Sequence, residues 1–388
     1  MPGTNFKRYT LISIILVLFL ICYFSGAAEA NIPSISADAA AVLDVCSGRV
    51  LYGHNMHKKR PIASTTKIMT AILTLERSNL ADVVIVSKEA AETGGSSIWL
   101  EEGEKKTVEE LLYGLMLTSG NDAAVALAEH LAGDTESFAQ LMTNKAKEIG
   151  AFNTSFKNPH GLDHEEHYST AYDMALIAAY ALNTPGFLKV TTTKEKSISW
   201  NGRPWNRKLI NQNKLLDLYP GATGVKTGWT TPAGRCFVGS ARKGIQHIVT
   251  VVLDAPQMWE DTISLMDFAF SSFPLKKIIS KNRKLIMVPL QGEDLNKLPL
   301  IAGSDFYYPL QSEEANKVKC NFCVKEQYRG PIQKGEEVGM LEILLHNNKI
   351  GEIPLLAAEE VKRVGFINLL LYWLKNIISR VKEVLTFG

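Results

Sequence analysis

Ser64 and Lys67 have the types and the spacing of a nucleophile and its base. They lie three residues apart, so on a helix both side chains share one face. A serine hydroxyl is a weak nucleophile until a base takes its proton, and a lysine amine can be that base only when neutral. Burial and a neighbouring cation both lower a lysine pKa, and Lys226 is a candidate for that cation. The same spacing also fits a helix-capping serine beside a surface lysine, so the pair needs further support.

Two more motifs supply that support. Ser119-Gly120-Asn121 falls between two helical segments, a position from which side chains point into a cleft. Lys226-Thr227-Gly228 stands at the start or the end of a predicted strand. Because Gly228 has no Cβ, another backbone can approach it closely. Lys226 and Thr227 are suited to binding a carboxylate through charge-assisted hydrogen bonds.

The chain begins with the features of an export signal. Lys7 and Arg8 precede an apolar run over residues 11–24, and Ala28-Glu29-Ala30 has small residues where signal peptidases need them. This pattern predicts a signal peptide over residues 1–30 and a mature start at Asn31. An uncleaved membrane anchor is the alternative, although the run is shorter than the roughly 20 residues that a spanning helix needs.

Length and composition favour a globular protein of two domains. The chain has 388 residues, of which 46% are hydrophobic and 21% charged, and its net charge is +2. This balance gives no electrostatic reason to expect nucleic-acid binding. No motif implies a cofactor.

The cysteines are too few for a disulfide framework, since four remain after the signal peptide is removed. Cys320-x-x-Cys323 resembles a zinc or redox pair, but no second ligand pair lies nearby and the segment is predicted as strand, not as the start of a helix. A local disulfide and two free thiols both stay open. His164 and His167 lack the H-E-x-x-H spacing, so no metal site is predicted.

Hydrophobic periodicity predicts a mixed α/β fold whose sheet is largely antiparallel. The predicted elements of the first domain are a hairpin over 36–46 and 49–54, helices over 64–76, within 107–133, over 171–182 and over 258–270, and strands over 222–254. Short strands and turns follow Pro274 up to residue 361, among them a hairpin over 341–345 and 350–356.

The last segment predicts an amphipathic helix. Its apolar residues recur at helical spacing: Phe366, Leu369, Leu370, Trp373, Leu374, Ile377, Ile378, Val381 and Leu385. Lys375, Arg380 and Lys382 make a spanning helix unfavourable, whereas an aromatic pair at 372–373 suits a membrane surface. Docking of the apolar face on the protein itself is the alternative.

Taken together and in this order, the three motifs resemble those of the low-molecular-weight penicillin-binding proteins, the serine D-Ala-D-Ala carboxypeptidases of peptidase family S11. The resemblance covers nearly the whole chain. It implies a signal peptide (1–30), a β-lactamase-like and penicillin-binding-protein-like catalytic domain with an antiparallel sheet flanked by helices (31–274), a small β-rich domain (275–361) and an amphipathic membrane-anchoring helix (362–388).

The resemblance also implies roles for individual residues. Ser64 is expected to be the acyl-ester nucleophile, Lys67 the general base and Ser119 a proton relay. The expected substrate-binding residues are Asn121, Lys226, Thr227, Gly228 and Trp229, and the backbone N–H groups of Ser64 and Trp229 are expected to form the oxyanion hole. The segment Asn158–Asp163 resembles a loop that borders the family's cleft.

The implied activity is removal of the terminal D-Ala from peptidoglycan stem pentapeptides through an acyl-enzyme. No cofactor takes part, and β-lactams are expected to inhibit. The implied location is the extracytoplasmic face of the bacterial cytoplasmic membrane, with the chain held peripherally by its last helix. A peptidoglycan endopeptidase and a non-catalytic penicillin-sensing or wall-binding protein remain alternatives. A class A β-lactamase is less favoured, because Gly120 stands where those enzymes have Asp.

Overall fold

The computed structural model describes residues 32–290 and 297–362, together with Leu374, Ile377 and Ile378. The predicted signal peptide, residues 1–30, lies outside the described residues. The predicted C-terminal helix, residues 362–388, also lies outside the described residues, except for Lys362, Leu374, Ile377 and Ile378. At the last three positions the backbone is helical and the side chain is exposed.

A five-stranded antiparallel sheet organises the first part of the chain, with the strand order β2-β1-β9-β8-β7. Its strands are β1 (Ala39–Asp44), β2 (Val50–His54), β7 (Ala222–Thr230), β8 (Gly234–Lys243) and β9 (Gln246–Leu253). β1 is buried along its whole length because both faces of the sheet are covered. Its alternate residues enter two separate cores, with Ala41 and Leu43 in one and Ala40 and Val42 in the other.

Helices cover both faces of this sheet. They are α1 (Lys67–Arg77), α2 (Lys88–Ala91), α3 (Val108–Leu117), α4 (Asn121–Ala132), α5 (Thr135–Ile149), α6 (Ala171–Asn183), α7 (Phe187–Thr191), α8 (Leu215–Leu218) and α9 (Met258–Ser272). The larger core lies under α1 and α3–α6, and α9 closes the opposite face. The starts of α3 and α6 are set by the side chains of Thr107, in a capping box with Glu110, and of Thr170.

Two short pairs of antiparallel strands accompany this sheet, β3 (Val83–Ile85) with β4 (Lys105–Thr107) and β5 (Glu195–Ile198) with β6 (Arg207–Ile210). A second five-stranded sheet, in the order β11-β12-β16-β15-β14, follows α9. Its strands are β11 (Lys284–Pro289), β12 (Lys297–Ala302), β14 (Val318–Cys323), β15 (Glu337–Leu345) and β16 (Asn348–Ala357), and β10 (Leu275–Ile279) pairs separately with β13 (Phe306–Pro309). An ion pair of 2.6 Å between Arg49 and Glu314 joins the two parts.

The predicted mixed α/β fold, the antiparallel sheet and the β-rich second part are confirmed. Two local predictions need correction. Ser64 belongs to a short 3₁₀ helix, Ala63–Thr66, and α1 begins only at Lys67, since the backbone bonds here join residues three apart, as from the Lys67 nitrogen to the Ser64 carbonyl. Lys226-Thr227-Gly228 lies within β7 and not at its end, because pairing with β8 continues to Thr230.

Cys320 and Cys323 lie on β14, as predicted, and both thiols are free. Three residues of strand separate their Cα atoms by about 10 Å and direct the side chains to opposite faces. A disulfide needs Cα atoms within about 7 Å, so the pair is not bridged locally. Among the described residues, no helix is long and apolar enough to cross a membrane.

We expect three reactive thiols in the folded chain from Asn31 onward. Cys46, Cys320 and Cys323 are exposed, whereas Cys236 is buried, and burial raises the pKa of its thiol to about 11. Titration with a chromogenic disulfide reagent is expected to modify three thiols quickly and the fourth only after denaturation. Fewer than three quickly modified thiols, with the number rising after mild reduction, would show a disulfide and contradict the geometry of β14.

Candidate active site

Ser64 and Lys67 form a hydrogen-bonded pair at the start of α1. The Nζ atom of Lys67 lies 3.0 Å from the Oγ atom of Ser64. The 3₁₀ turn places the serine just ahead of the helix, while the lysine, the first residue of α1, is completely buried. The sequence prediction that these two side chains share one face is confirmed.

Two further acceptors surround the Lys67 amine. Its Nζ donates to Oδ1 of Asn121 at 2.6 Å and to the backbone carbonyl of His160 at 2.9 Å. None of these acceptors carries a formal charge. Burial is the main cause that holds the pKa of Lys67 well below its usual range; Lys226 lowers it further when it is protonated, and the Asp122 carboxylate offsets this only in part. A neutral amine at this position can accept a proton.

Lys226 is the second buried amine of the site. Only 1% of the residue is exposed, and its Nζ donates to the backbone carbonyl of Thr227 at 3.1 Å. Burial lowers the pKa of Lys226 to about 7. Between about pH 7 and the ordinary lysine pKa near 10.4, this side chain is neutral in the folded protein and charged in the unfolded chain.

β7 packs directly against the turn that carries Ser64. A Cβ atom built on Gly228 would lie 2.8 Å from the backbone nitrogen of Ser64 and 3.1 Å from the Cβ of Ala63. Contacts this short do not occur between real atoms, so only glycine permits the approach. The next residue, Trp229, is largely exposed. Strand and turn thus bring the backbone segments of Ser64 and Trp229 into one cleft.

The Ser119-Gly120-Asn121 motif spans the break between α3 and α4. Ser119 is buried in a left-handed conformation with φ of 65°, and its hydroxyl makes no hydrogen bond with Lys67 or Lys226. Both polar atoms of the Asn121 side chain are hydrogen-bonded. Its Oδ1 accepts from Lys67, and its Nδ2 donates to the Gly94 carbonyl at 2.7 Å. The structure therefore joins Asn121 to the Ser64–Lys67 pair directly and places Ser119 beside it without a bond.

The loop Asn158–Asp163 closes the site from another side. Gly161 has φ of +89°, and a Cβ built on it would lie 1.9 Å from the carbonyl oxygen of Ala63. The Asn158 side chain fixes the turn by accepting from the Gly161 nitrogen at 2.7 Å and donating to the Leu162 carbonyl at 2.9 Å. The loop thereby holds the His160 carbonyl against Lys67, a contact that the sequence did not reveal.

His167 connects the Ser64 turn to the segment that precedes the loop Asn158–Asp163. Its Nδ1 accepts from the Lys157 nitrogen at 3.2 Å, so the proton resides on Nε2, which lies 2.8 Å from the Thr66 hydroxyl. Burial lowers the pKa of His167 to about 4 and that of His160 to about 3, and Lys67 contributes to the second shift. Both rings are neutral at physiological pH. Within the described ranges, no group of three His, Cys, Asp or Glu side chains is arranged to hold a metal ion.

Asp122 is a site residue that the sequence analysis missed. It is completely buried, and its carboxylate accepts from the Ser97 hydroxyl at 2.6 Å and from the backbone nitrogens of Ile98 and Leu100 at 3.0 and 3.1 Å. It thereby fastens the loop 94–100 to the start of α4. In the sequence, an acidic residue in the first turn of a helix is typical of a solvated position, so no local signal marked it.

The arrangement suits acyl transfer through a serine. A hydroxyl lies beside a buried amine of lowered pKa, a second buried lysine stands nearby, and a strand passes close to the nucleophile.

The comparisons with known proteins agree with this chemistry. A family model described as "D-alanyl-D-alanine carboxypeptidase", peptidase family S11, matches residues 26–257, and a model of the C-terminal domain of penicillin-binding protein 5 matches residues 273–363. D-alanyl-D-alanine carboxypeptidase DacF of Bacillus subtilis is 38% identical over 345 residues, covering 86% of this chain and 88% of the relative. DacC of Escherichia coli is 33% identical and covers 90% of each chain.

Solved structures show the same likeness in three dimensions. Penicillin-binding protein 5 from Haemophilus influenzae superposes with a TM-score of 0.70 at 28% identity, covering 86% of this chain and 99% of that protein. A structure from Streptococcus pneumoniae described as a peptidoglycan synthesis regulatory factor, PBP3, gives a TM-score of 0.73 at 26% identity, covering 85% of this chain and all of that one.

Gly161→Ala is expected to disrupt the turn that holds Ser64. A left-handed alanine costs about 1–2 kcal/mol by itself, and here the methyl group also meets the Ala63 carbonyl. Gly150→Ala is the matched control, since Gly150 has φ of +94° with open space around it. Both variants are expected to lose stability in urea, but only Gly161→Ala is expected to react with a fluorescent penicillin more than about tenfold more slowly. Equal reaction rates in the two variants would contradict the contact.

The lowered pKa of Lys226 has a consequence for stability. Between about pH 7 and 10 the unfolded chain binds more protons than the folded chain, so stability rises with pH, by up to about 1.4 kcal/mol per pH unit for one proton. Lys226→Met removes this contribution. Urea unfolding at pH 7, 8 and 9 is therefore expected to give a steeper rise for the parent than for the variant. Parallel pH profiles would show that Lys226 is charged in the folded protein.

Proposed function

The chain belongs to the D-alanyl-D-alanine carboxypeptidase family, peptidase family S11, and we infer from this membership and from the site that it is a serine D-alanyl-D-alanine carboxypeptidase acting on peptidoglycan stem peptides. The observation that carries the mechanism is the 3.0 Å contact between Ser64 Oγ and the buried amine of Lys67. The roles of individual residues below are our proposal.

In the acylation step, Ser64 Oγ attacks the carbonyl carbon between the two D-alanines while its proton passes to Lys67. The peptide bond then breaks, and the departing amine of D-Ala takes a proton. We assign Ser119 to relaying that proton, since it lies at the break between α3 and α4 next to Asn121, which contacts Lys67. The backbone N–H groups of Ser64 and Trp229 stabilise the oxyanion, and losing one such donor typically costs about 3 kcal/mol in the barrier.

In the deacylation step, water attacks the ester carbonyl and gives its proton to the neutral Lys67 amine. The ester bond breaks, Ser64 Oγ recovers a proton, and the shortened stem peptide leaves with a new carboxylate. A second base is not required, because the buried amine is neutral again once the first product has taken its proton.

The substrate is recognised at the outer edge of β7. This strand is the last of its sheet and pairs only with β8, so its other side offers backbone groups to an extended peptide. Thr227 and Lys226 bind the terminal carboxylate that distinguishes this substrate from an internal peptide bond. Because Lys226 is buried, its positive charge attracts the substrate carboxylate electrostatically. The bound carboxylate in turn favours the protonated form of Lys226. Gly228 keeps the strand close to Ser64, and Asn121 orients Lys67 and the peptide backbone.

β-lactams inhibit this enzyme, as the family assignment implies. They acylate the same serine, but their leaving group stays tethered to the acyl-enzyme. Water therefore competes poorly for the ester, and release is slow.

The enzyme acts outside the cytoplasm, a location supported by the export pattern of residues 1–30 and by a peptidoglycan substrate. We propose that residues 1–30 are its export signal, 31–274 the catalytic domain, 275–361 a spacer domain and 362–388 a peripheral membrane anchor. The anchor proposal is supported by the one-sided apolar pattern of the last segment and by the exposed, helical Leu374, Ile377 and Ile378.

Release of D-Ala from a diacyl-L-Lys-D-Ala-D-Ala tripeptide tests the activity and both catalytic residues. We expect the chain from Asn31 onward to release D-Ala, and Ser64→Ala and Lys67→Ala to lose at least about 10³-fold in kcat. Lys147→Ala, which changes an exposed lysine, is the matched control and is expected to retain parent activity.

Each other outcome contradicts part of the proposal. A folded parent that binds labelled penicillin but releases no D-Ala would favour an endopeptidase or a penicillin sensor. Activity retained by Lys67→Ala would show that another group takes the serine proton.

A further inference from the structure

Two exposed tryptophans lie on neighbouring segments next to the cleft. Trp99 is 71% exposed in the loop that precedes β4, and Trp205 is 58% exposed in the turn between β5 and β6. We call these two indoles, with the exposed Glu101 and Arg203 beside them, the tryptophan surface. Tryptophan is usually buried to a large extent and is enriched at binding interfaces, so two exposed indoles on adjacent segments form a candidate binding surface.

The backbone at Trp99 is strained in a way that keeps the indole outside. Its φ is +62°, a conformation that bulky residues rarely adopt. Bonds on both sides hold it there, since its nitrogen donates to the Ser97 hydroxyl at 2.7 Å and its carbonyl accepts from Arg207 at 2.7 Å. A strained residue that its surroundings overdetermine is characteristic of a functional position.

A buried charge cluster locks the segments of the two tryptophans together. Arg207 contacts Glu104 at 3.1 and 3.2 Å, and Lys106 contacts Glu104 at 3.2 Å, with all three side chains almost fully buried. Arg207 begins β6, two residues after Trp205, whereas Glu104 belongs to the segment that carries Trp99. Lys106 also donates to the Ser199 hydroxyl at 2.9 Å, at the start of the turn that carries Trp205.

A second contact lies at the surface itself. The guanidinium of Arg203 is 3.8 Å from the Glu101 carboxylate, and both side chains are exposed. Burying three charges is costly, and the cluster here fixes two surface segments relative to each other instead of filling a core. The cluster therefore fixes the start of β6 relative to the loop that carries Trp99.

The tryptophan surface is continuous with the catalytic cleft. Three residues before Trp99, the carbonyl of Ser96 accepts from the Asn121 nitrogen at 2.7 Å, and Asn121 contacts Lys67. Three residues of chain reach at most about 11 Å, so Trp99 lies within that distance of the Ser96 contact. Four residues of a stem pentapeptide precede the scissile bond, and when extended they span at most about 14 Å.

From this geometry we propose that the tryptophan surface binds the saccharide to which the stem peptide is attached. This inference rests on the proposed function, which places the end of the stem at Ser64. The apolar face of a sugar ring stacks on an indole, while its hydroxyls bond to charged and amide groups such as those of Glu101 and Arg203. Two indoles separated by charged residues do not form the continuous apolar patch that a protein or a lipid surface would need.

Binding of glycan oligosaccharides without peptide tests the proposal. The probe is an N-acetylglucosamine–N-acetylmuramic acid oligosaccharide whose stems have been removed by an amidase, and binding to the chain from Asn31 onward is measured by isothermal titration calorimetry. We expect the parent to bind it and the double variant Trp99→Asn/Trp205→Ala to bind about tenfold more weakly. Asn tolerates a positive φ, so the backbone at position 99 is preserved.

Phe152→Ala is the matched control, since Phe152 is an aromatic residue of similar exposure, 75%, outside the tryptophan surface. It is expected to bind the oligosaccharide like the parent. Steady-state kinetics with two substrates show which part of the substrate contacts the tryptophan surface. With a disaccharide-pentapeptide, the double variant is expected to raise KM about tenfold without changing kcat, whereas turnover of the sugar-free tripeptide changes less than about twofold.

Three results would overturn the saccharide site: no binding of the peptide-free oligosaccharide by the parent, equal binding by the double variant, or an equal loss with the tripeptide, which would make the surface a peptide subsite. Failure of the proposed function has a different signature, because a parent that binds the oligosaccharide but releases no D-Ala from the tripeptide would keep the saccharide site and lose the carboxypeptidase assignment.

Discussion

The site depends on keeping two lysine amines out of water without a carboxylate in contact. Lys67 and Lys226 are both buried, and neither forms an ion pair within the described part of the chain. Removing an ammonium from water is costly, so the folded protein favours the neutral form of each amine. The packing of α1 against α4, β7 and the loop 158–163 thus lowers the pKa of Lys67, because it excludes the solvent that would keep the amine charged.

Close backbone approach makes this exclusion possible. β7 and the loop 158–163 each meet the Ser64 turn at a glycine, Gly228 and Gly161, where any Cβ would clash. The turn itself contains Ala63 with a positive φ, a strain of the kind that active sites retain. This close packing fixes Ser64 Oγ within hydrogen-bonding reach of Lys67.

Asp122 connects the chemical centre to the outer rim of the cleft. Its neighbour Asn121 contacts Lys67, while its own carboxylate binds the loop that leads to Trp99. The Arg207–Glu104 contact holds the same loop from its other end. The same helix start therefore positions Asn121 against Lys67 and the loop that carries Trp99.

The sequence by itself determined the three motifs, the export pattern, the mixed α/β class and the main elements that carry the motifs, because these follow from residue type and local periodicity. It did not reveal α5 or the strand pairs β3–β4 and β5–β6. Only the tertiary structure decided what surrounds Lys67. Its partners Asn121 and His160 are 54 and 93 residues away, and Arg207 meets Glu104 across 103 residues. Burial, pKa and rigid positioning arise from such distant contacts, and no local pattern encodes which distant segments will meet.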